Sequence, residues 1–326
     1  MHMADALISP AVAGTMGVLS AGAAIYSIKK LREEDNPKKL PLMGVMSAFV
    51  FAAQMINFTI PGTGSSGHLC GGALLSSLLG PFAGFISMIA VLVIQCLFFA
   101  DGGLMALGCN IWNMAFYSCF FGYFCIYKPL TKNKITRKRI ILASILSSVI
   151  SLQLGAFSVV IETMLSGVTE LTFGQFVLFM LPIHLAIGLV EGIITAAVLL
   201  FIYETNGKLL NVEREEKFSL KNTLIILSVM VIFIAGGLSL IASSNPDGLE
   251  WSIYKVTGQE ELENEGDAYQ ASEEIQGKTS FLPDYNFKDS ESNVGTSISG
   301  IAGSLIVAGV AIALCALVKI FKRKRE

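Results

Sequence analysis

The chain has 326 residues and a mass of 35.0 kDa, of which 53% are hydrophobic and only 15% charged, with a mean hydropathy of +0.65; two soluble domains of that length would need polar faces that these residues do not supply. No Asp, Glu, Lys or Arg occurs between Pro41 and Ala100, which leaves room for about three membrane spans of roughly 20 residues each. A net charge of −2 gives no basic groove for nucleic acid, and the 31 glycines contain no Rossmann or P-loop pattern, so any ATP hydrolysis must come from elsewhere.

The chain opens Met1-His2-Met3-Ala4-Asp5-Ala6, without the basic start of a signal peptide. The bulky His2 should discourage removal of the initiator Met1. Charge-poor runs follow at 11–28, 41–58, 68–79, 81–100, 103–127, 140–161, 172–202, 222–242 and 299–318, predicting an all-α, polytopic membrane helical bundle of about nine spans. The third run is short and is cut from the fourth by Gly80-Pro81, so it must be tilted, extended at the His68 end, or buried among neighbours. Residues 29–39, 128–139, 203–221 and 319–325 hold 20 of the 23 Lys and Arg. The positive-inside rule then places the N terminus outside and the C terminus in the cytoplasm.

Residues 1–204 are expected to form a seven-span domain, 205–221 a cytoplasmic linker, and 222–326 a two-span accessory domain. Its loop 243–298 carries 12 acidic and 3 basic residues and reads as a solvated external tether rather than a folded module, with positions such as Ser272 open to label from outside. The six cysteines, Cys70, Cys96, Cys109, Cys119, Cys125 and Cys315, lie in apolar stretches without CxxC spacing and read as buried thiols.

Of the three histidines, His2 and His68 begin on the same side of the membrane, His68 directly after the glycine-rich run Pro61-Gly62-Thr63-Gly64-Ser65-Ser66-Gly67. That run can bend and re-enter among the helices. An N-terminal Met1-His2 is a chelator, since the Met1 amine, the His2 amide nitrogen and the His2 imidazole close a five- and a six-membered ring. His68 is the donor that fits the open fourth corner, and four nitrogens in a plane suit Ni(II), low-spin Co(II) or Cu(II) better than Zn(II), Mg(II) or Ca(II). The competing account is a surface His2 and a packing or capping His68. His184 and Glu191 lie seven residues apart on one helix face, too far for direct contact. Structural polar partnership and a role in ion access or coupling fit them equally. Asp101 ends the fourth span; Asn110 and Asn113 are one turn apart in the fifth, where Asn110 either orients a ligating imidazole or closes a buried polar network.

The opening Met1 to Pro10, the run His68-Leu69-Cys70-Gly71-Gly72-Ala73-Leu74-Leu75 with Leu79-Gly80-Pro81, the run Phe99-Ala100-Asp101-Gly102-Gly103-Leu104-Met105-Ala106-Leu107-Gly108-Cys109-Asn110 with Asn113-Met114, and His184 with Ile187-Gly188-Leu189-Val190-Glu191-Gly192 resemble the CbiM/NikM substrate-capture proteins of energy-coupling-factor cobalt and nickel transporters. Pro246-Asp247-Gly248-Leu249-Glu250 with Leu282-Pro283-Asp284-Tyr285 resembles the accessory module called PDGLE, or NikN. The resemblance implies a multi-pass protein of a prokaryotic cell membrane, with no catalytic residue and no cofactor. It implies Ni(II) or Co(II) as transported ligand, nickel slightly favoured, held by Met1, His2 and His68. Asp5, Asp101, Asn110, His184 and Glu191 would then serve as supporting or coupling residues. Position 5 is Asp where many members have Glu, which shortens its reach. A transmembrane coupling protein and a pair of cytoplasmic ATP-binding-cassette ATPases would be its partners within the lipid membrane. An ion-gradient-driven metal transporter and a non-transporting membrane scaffold are the alternatives.

Overall fold

A computed structural model describes residues 1–34, 36, 39–214, 216–260, 262–288 and 292–323, with 318–323 described by backbone alone. Lys38 and the C-terminal run 319–325, which enter the charge count above, lie outside the residues whose side chains are described.

The first residues form a short 3-10 turn, Asp5–Leu7, and then α1 (Pro10–Glu33), which starts where Ser9 accepts a hydrogen bond from the Val12 amide and Pro10 fills the first helical position. After α2 (Lys39–Gln54) comes a two-stranded antiparallel hairpin, β1 (Phe58–Ile60) and β2 (Ser65–Gly67), with Phe58 opposite Gly67 and Ile60 opposite Ser65. Next are α3 (Gly72–Leu79) and α4 (Pro81–Phe99). The following helix begins as α5 (Leu107–Asn110), widens into a π-helical stretch, Ile111–Tyr127, and ends as α6 (Lys128–Thr131). Two long helices, α7 (Arg137–Ser166) and α8 (Phe173–Thr205), pack along each other, and α9 (Leu220–Gly236) follows. Two shorter helices, α10 (Gly248–Thr257) and α11 (Asp267–Thr279), precede α12 (Asn293–Arg323).

Among the described residues six helices are long and apolar enough to cross a membrane: Pro10–Glu33, Pro81–Phe99, Arg137–Ser166, Phe173–Thr205, Leu220–Ile241 and Asn293–Leu317. The bundle turns Val18, Ile25, Leu178, Ile193, Val229 and Leu305 outward, where a protein in water would carry charge. The chain is a multi-pass, mostly helical membrane protein. The short third run is helical only over the eight residues of α3, a rise of about 12 Å that cannot cross a hydrocarbon core of about 30 Å. It packs among α4, the π-helical stretch, α7 and α8, so its backbone is satisfied by protein rather than exposed to lipid. At its start Gly71 takes a left-handed φ of 86°, and a side chain there would collide with Val50.

The expectation of a solvated tether at 243–298 is overturned. This segment folds into α10, α11 and a turn at Pro283–Tyr285, and lies across the end of the bundle from which residues 1–9 enter. Ser272, expected to be open, is buried and donates its hydroxyl hydrogen to Asp5. The acidic composition misled because the polar groups on its inner side are paired with backbone and side chains of the bundle. The helices α9 and α12 pack against α2, so the accessory part is joined to the body along its length. Of the cysteines, Cys125 is exposed and the other five are buried.

Candidate metal centre

Residues 1–3 thread into the capped end of the bundle. Met1 and Met3 are buried, and a side-chain carbon added at Gly155 would come within 3.1 Å of Met1 Cε. Gly155 lies eleven residues before Ser166, so the first residue reaches about 16 Å inward from the end of α7. Asn110 holds this thread by its backbone, accepting from Met3 N (2.7 Å) and donating to Met3 O (3.2 Å). Gly103 N also donates to Met3 O (2.9 Å). Asn110 therefore clamps main chain rather than orienting an imidazole. Asn113 sits one turn on, donating to Glu162 on α7 (2.7 Å) and lying 3.6 Å from Met3 Sδ. Asp5 ties the turn after it, accepting from Ala106 N (2.9 Å) and from Ser272.

The Met1 amine donates to His68 Nε2 at 3.2 Å and forms an ion pair with Asp247. His68 Nδ1 lies 3.0 Å from Leu69 O, an atom that can only accept, so Nδ1 carries the proton and Nε2 turns its lone pair to the amine. With its Nδ1 proton held by Leu69 O, the ring presents Nε2 as the atom able to bind metal. Burial pushes the Asp247 carboxyl up, but the Met1 ammonium and His68 outweigh it and hold the group below its ordinary value. The His2 ring stacks on His68 with centroids 5.3 Å apart. Its nitrogens face elsewhere, Nδ1 lying 3.1 Å from Asp101 Oδ1 and Nε2 lying 3.2 Å from Gln95 Oε1. Burial lowers this imidazole, with Asp101 pulling the other way.

The structure thus gathers Met1, His2 and His68, but the chelate needs the His2 ring to turn from Asp101 toward the amine. Among the described residues no three His, Cys, Asp or Glu side chains gather as a metal cluster.

A polar network backs the site. Gln54 donates to Cys70 O (2.7 Å), and Gln95 donates to Gln54 Oε1 (2.7 Å) and to the Tyr285 hydroxyl (3.1 Å). Tyr285 in turn donates to Asp101 and stacks on Phe99, with ring centroids 4.8 Å apart. Asp284 and Tyr285 both take left-handed φ values, 49° and 58°, an uncommon pair that turns the Tyr285 ring inward.

His184 and Glu191 do not touch each other. Glu191 accepts from the amides of Cys70 (3.0 Å) and Gly71 (3.1 Å), the open donors just ahead of α3. It thereby fixes the loop that carries His68. His184 Nδ1 lies 2.7 Å from Met180 O, and its Nε2, buried, finds no hydrogen-bond partner among the described residues. Met1, His68, Cys70, His184, Asp247 and Gly248 line one small void.

Several of these partners escaped sequence reasoning. Gln54 and Gln95 were legible as amides within a charge-free stretch, whereas Asp247 was visible in a motif but not at the site. A larger cavity, about 650 Å³, opens at the opposite end between Glu34, Lys39, Tyr127, Asn206, Lys208 and Glu216. Its size does not make it the metal centre, because the three histidines all lie at the capped end.

Residues 2–209 match the family model described as CbiM, cobalt uptake substrate-specific transmembrane region, and residues 221–320 match the PDGLE domain. A protein of Archaeoglobus fulgidus named "Putative fused nickel transport protein NikMN" is 36% identical over 96% of this chain and 98% of its own length. The fused nickel transport protein NikMN of Rhodobacter capsulatus is 28% identical over 79% of this chain and 78% of its own length. A crystal structure described as a truncated transition metal transporter is 32% identical, covers 63% of this chain and 99% of its own, and superposes with a TM-score of 0.55. The chain belongs to the CbiM family of cobalt-uptake substrate-specific transmembrane proteins, and a PDGLE domain follows the family region.

Proposed function

We propose that the protein is the substrate-binding membrane component of an ATP-driven energy-coupling-factor importer for nickel and/or cobalt ions, with nickel slightly favoured. The observation that carries this reading is the meeting of the Met1 amine, His68 Nε2 and the stacked His2 ring in one buried site. Met1, His2 and His68 hold the ion, with the His2 amide as a further nitrogen once it loses its proton. The preference for nickel draws on the relatives whose names read fused nickel transport protein and whose alignments run through the accessory part. A relative from Sorangium cellulosum named cobalt transport protein CbiM keeps cobalt in the proposal.

In this reading the capped end faces outside, and the basic loops at 29–39, 128–139 and 203–221 lie in the cytoplasm of a prokaryotic cell. The hairpin and α3 together make one crossing, which with the eight other membrane segments gives the expected nine. Capture at the outer face is followed by release inward, driven by a coupling protein and an ATPase pair that supply what the chain's own sequence lacks. The test is reconstitution with such partners in vesicles. ATP-dependent uptake of Ni(II) or Co(II) that disappears with a Walker-motif variant of the ATPase supports the reading, whereas uptake driven by an ion gradient alone favours the secondary-transporter alternative.

A further inference from the structure

Within Pro246 to Glu250, Asp247 meets the Met1 amine and Gly248 packs against His184. Pro246 O accepts from Ser66 N (2.8 Å), which fixes β2 two residues before His68. Asp247 caps α10, its Oδ1 accepting from Leu249 N (2.7 Å) and Glu250 N (2.9 Å). Glu250 completes the capping box by accepting from Asp247 N (2.8 Å). Leu249 is buried, and at Gly248 a side-chain carbon would lie 3.0 Å from His184 Cε1 and from Ile187 Cδ1. The glycine lets α10 descend onto α8 at His184.

The two Asp247 oxygens therefore divide their contacts. With Oδ1 engaged in capping, Oδ2 faces the Met1 amine and lies 3.8 Å from His68 Nε2, which is itself 3.2 Å from the amine. Around an ion with bonds of about 2 Å, adjacent donors stand about 2.8 Å apart and opposite ones about 4 Å. The separations of His68 Nε2 from the amine and from Asp247 Oδ2 are ones that a first-row ion could bridge. Charge points the same way, since a divalent ion held by neutral amine and imidazole nitrogens and one deprotonated amide keeps a net positive charge, which a nearby carboxylate offsets in a water-poor site. Asp247 supplies one with its side chain only 14% exposed.

We propose that Asp247 is part of the capture site: it holds the Met1 amine against His68 before the ion arrives and stays beside the bound divalent cation as its carboxylate, so that capture belongs to both domains. The proposal deepens, and rests on, the reading of Met1, His2 and His68 as the donor set. It gives the two-span part a share in capture although all the nitrogen donors precede residue 222.

The test uses the full-length protein in detergent, with Met1 verified by mass spectrometry, Ni(II) affinity measured by calorimetry, and the ligand-field absorption band recorded at saturation. Asp247→Asn preserves the cap, because Asn caps as well as Asp, and removes the charge and the second acceptor oxygen facing the amine; Asp247→Ser keeps the cap with a smaller, uncharged side chain. Both should weaken Ni(II) about ten- to hundredfold and displace the absorption band. Asp247→Glu should recover most of the affinity, which a purely capping role would not require. Wild-type affinity and an unshifted band in both uncharged variants, with His68→Ala having lost binding, would overturn the proposal. Undiminished binding by His68→Ala would instead remove the donor set itself, whatever the Asp247 variants do.

Discussion

Residues 1–9 and residues 243–288 meet at the capped end with opposite compositions. The first segment is short and mostly apolar, and its polar main-chain atoms are caught by Asn110 and Gly103 as it threads inward. The second is acidic and looks like a tether, yet Asn264 donates to Ala6 O (2.6 Å), Tyr269 to Ile8 O (2.9 Å) and Gln276 to Gly102 O (2.9 Å). The polar segment satisfies the backbone of the apolar one, which would otherwise be buried without partners. Polarity in this loop therefore marks complementarity to a buried N-terminal segment on one side and solvation on the other.

Variants that remove one half of this arrangement test it. The largest effect should come from His68→Ala, which leaves the thread in place but removes a donor; calorimetry should show a loss of more than about a hundredfold in Ni(II) affinity. Glu191→Ala should act more weakly, because it frees the loop ahead of α3 without touching the nitrogens. Losing two charge-assisted bonds to amides should destabilise the fold by about 2–4 kcal/mol, read as a lowered melting temperature, with affinity falling about tenfold. A Glu191→Ala protein that binds less well than His68→Ala would show that the carboxylate does more than hold the loop.

Asn110→Ala releases the Met3 backbone and should cost about 1–3 kcal/mol of stability while leaving residual capture. The smallest effect concerns the lid. A cysteine placed at the buried Ser272 should react slowly with a polar thiol reagent, while one at the neighbouring exposed Glu273 should react fast. Equal rates at the two positions would mean that α11 is not seated on residues 5–8.

The helical runs, the break at Gly80-Pro81 and the three residues of the proposed donor set were legible in the sequence, because charge depletion and an N-terminal His are local signals. Partnerships that span hundreds of residues were not. Nothing in the spacing of His184 and Glu191 says that the carboxylate reaches the amides of residues 70 and 71, since that depends on how α8 crosses α3. The lid was missed for a related reason: hydrophobicity predicts burial of apolar side chains, but α11 is polar and its inward face is held by Ser272 and Gln276 hydrogen bonds. The orientation of His2 toward Asp101 likewise follows from a loop contact 99 positions away.

The central claim is that the terminal amine is a metal donor, and adding one residue ahead of Met1 tests it with every side chain kept. The extension converts that amine into an amide while His2, His68 and Asp247 remain. Ni(II) and Co(II) calorimetry on the native and extended proteins, each with its N terminus verified by mass spectrometry, should show tight binding by the first and its loss in the second. Undiminished affinity in the extended protein would contradict the account.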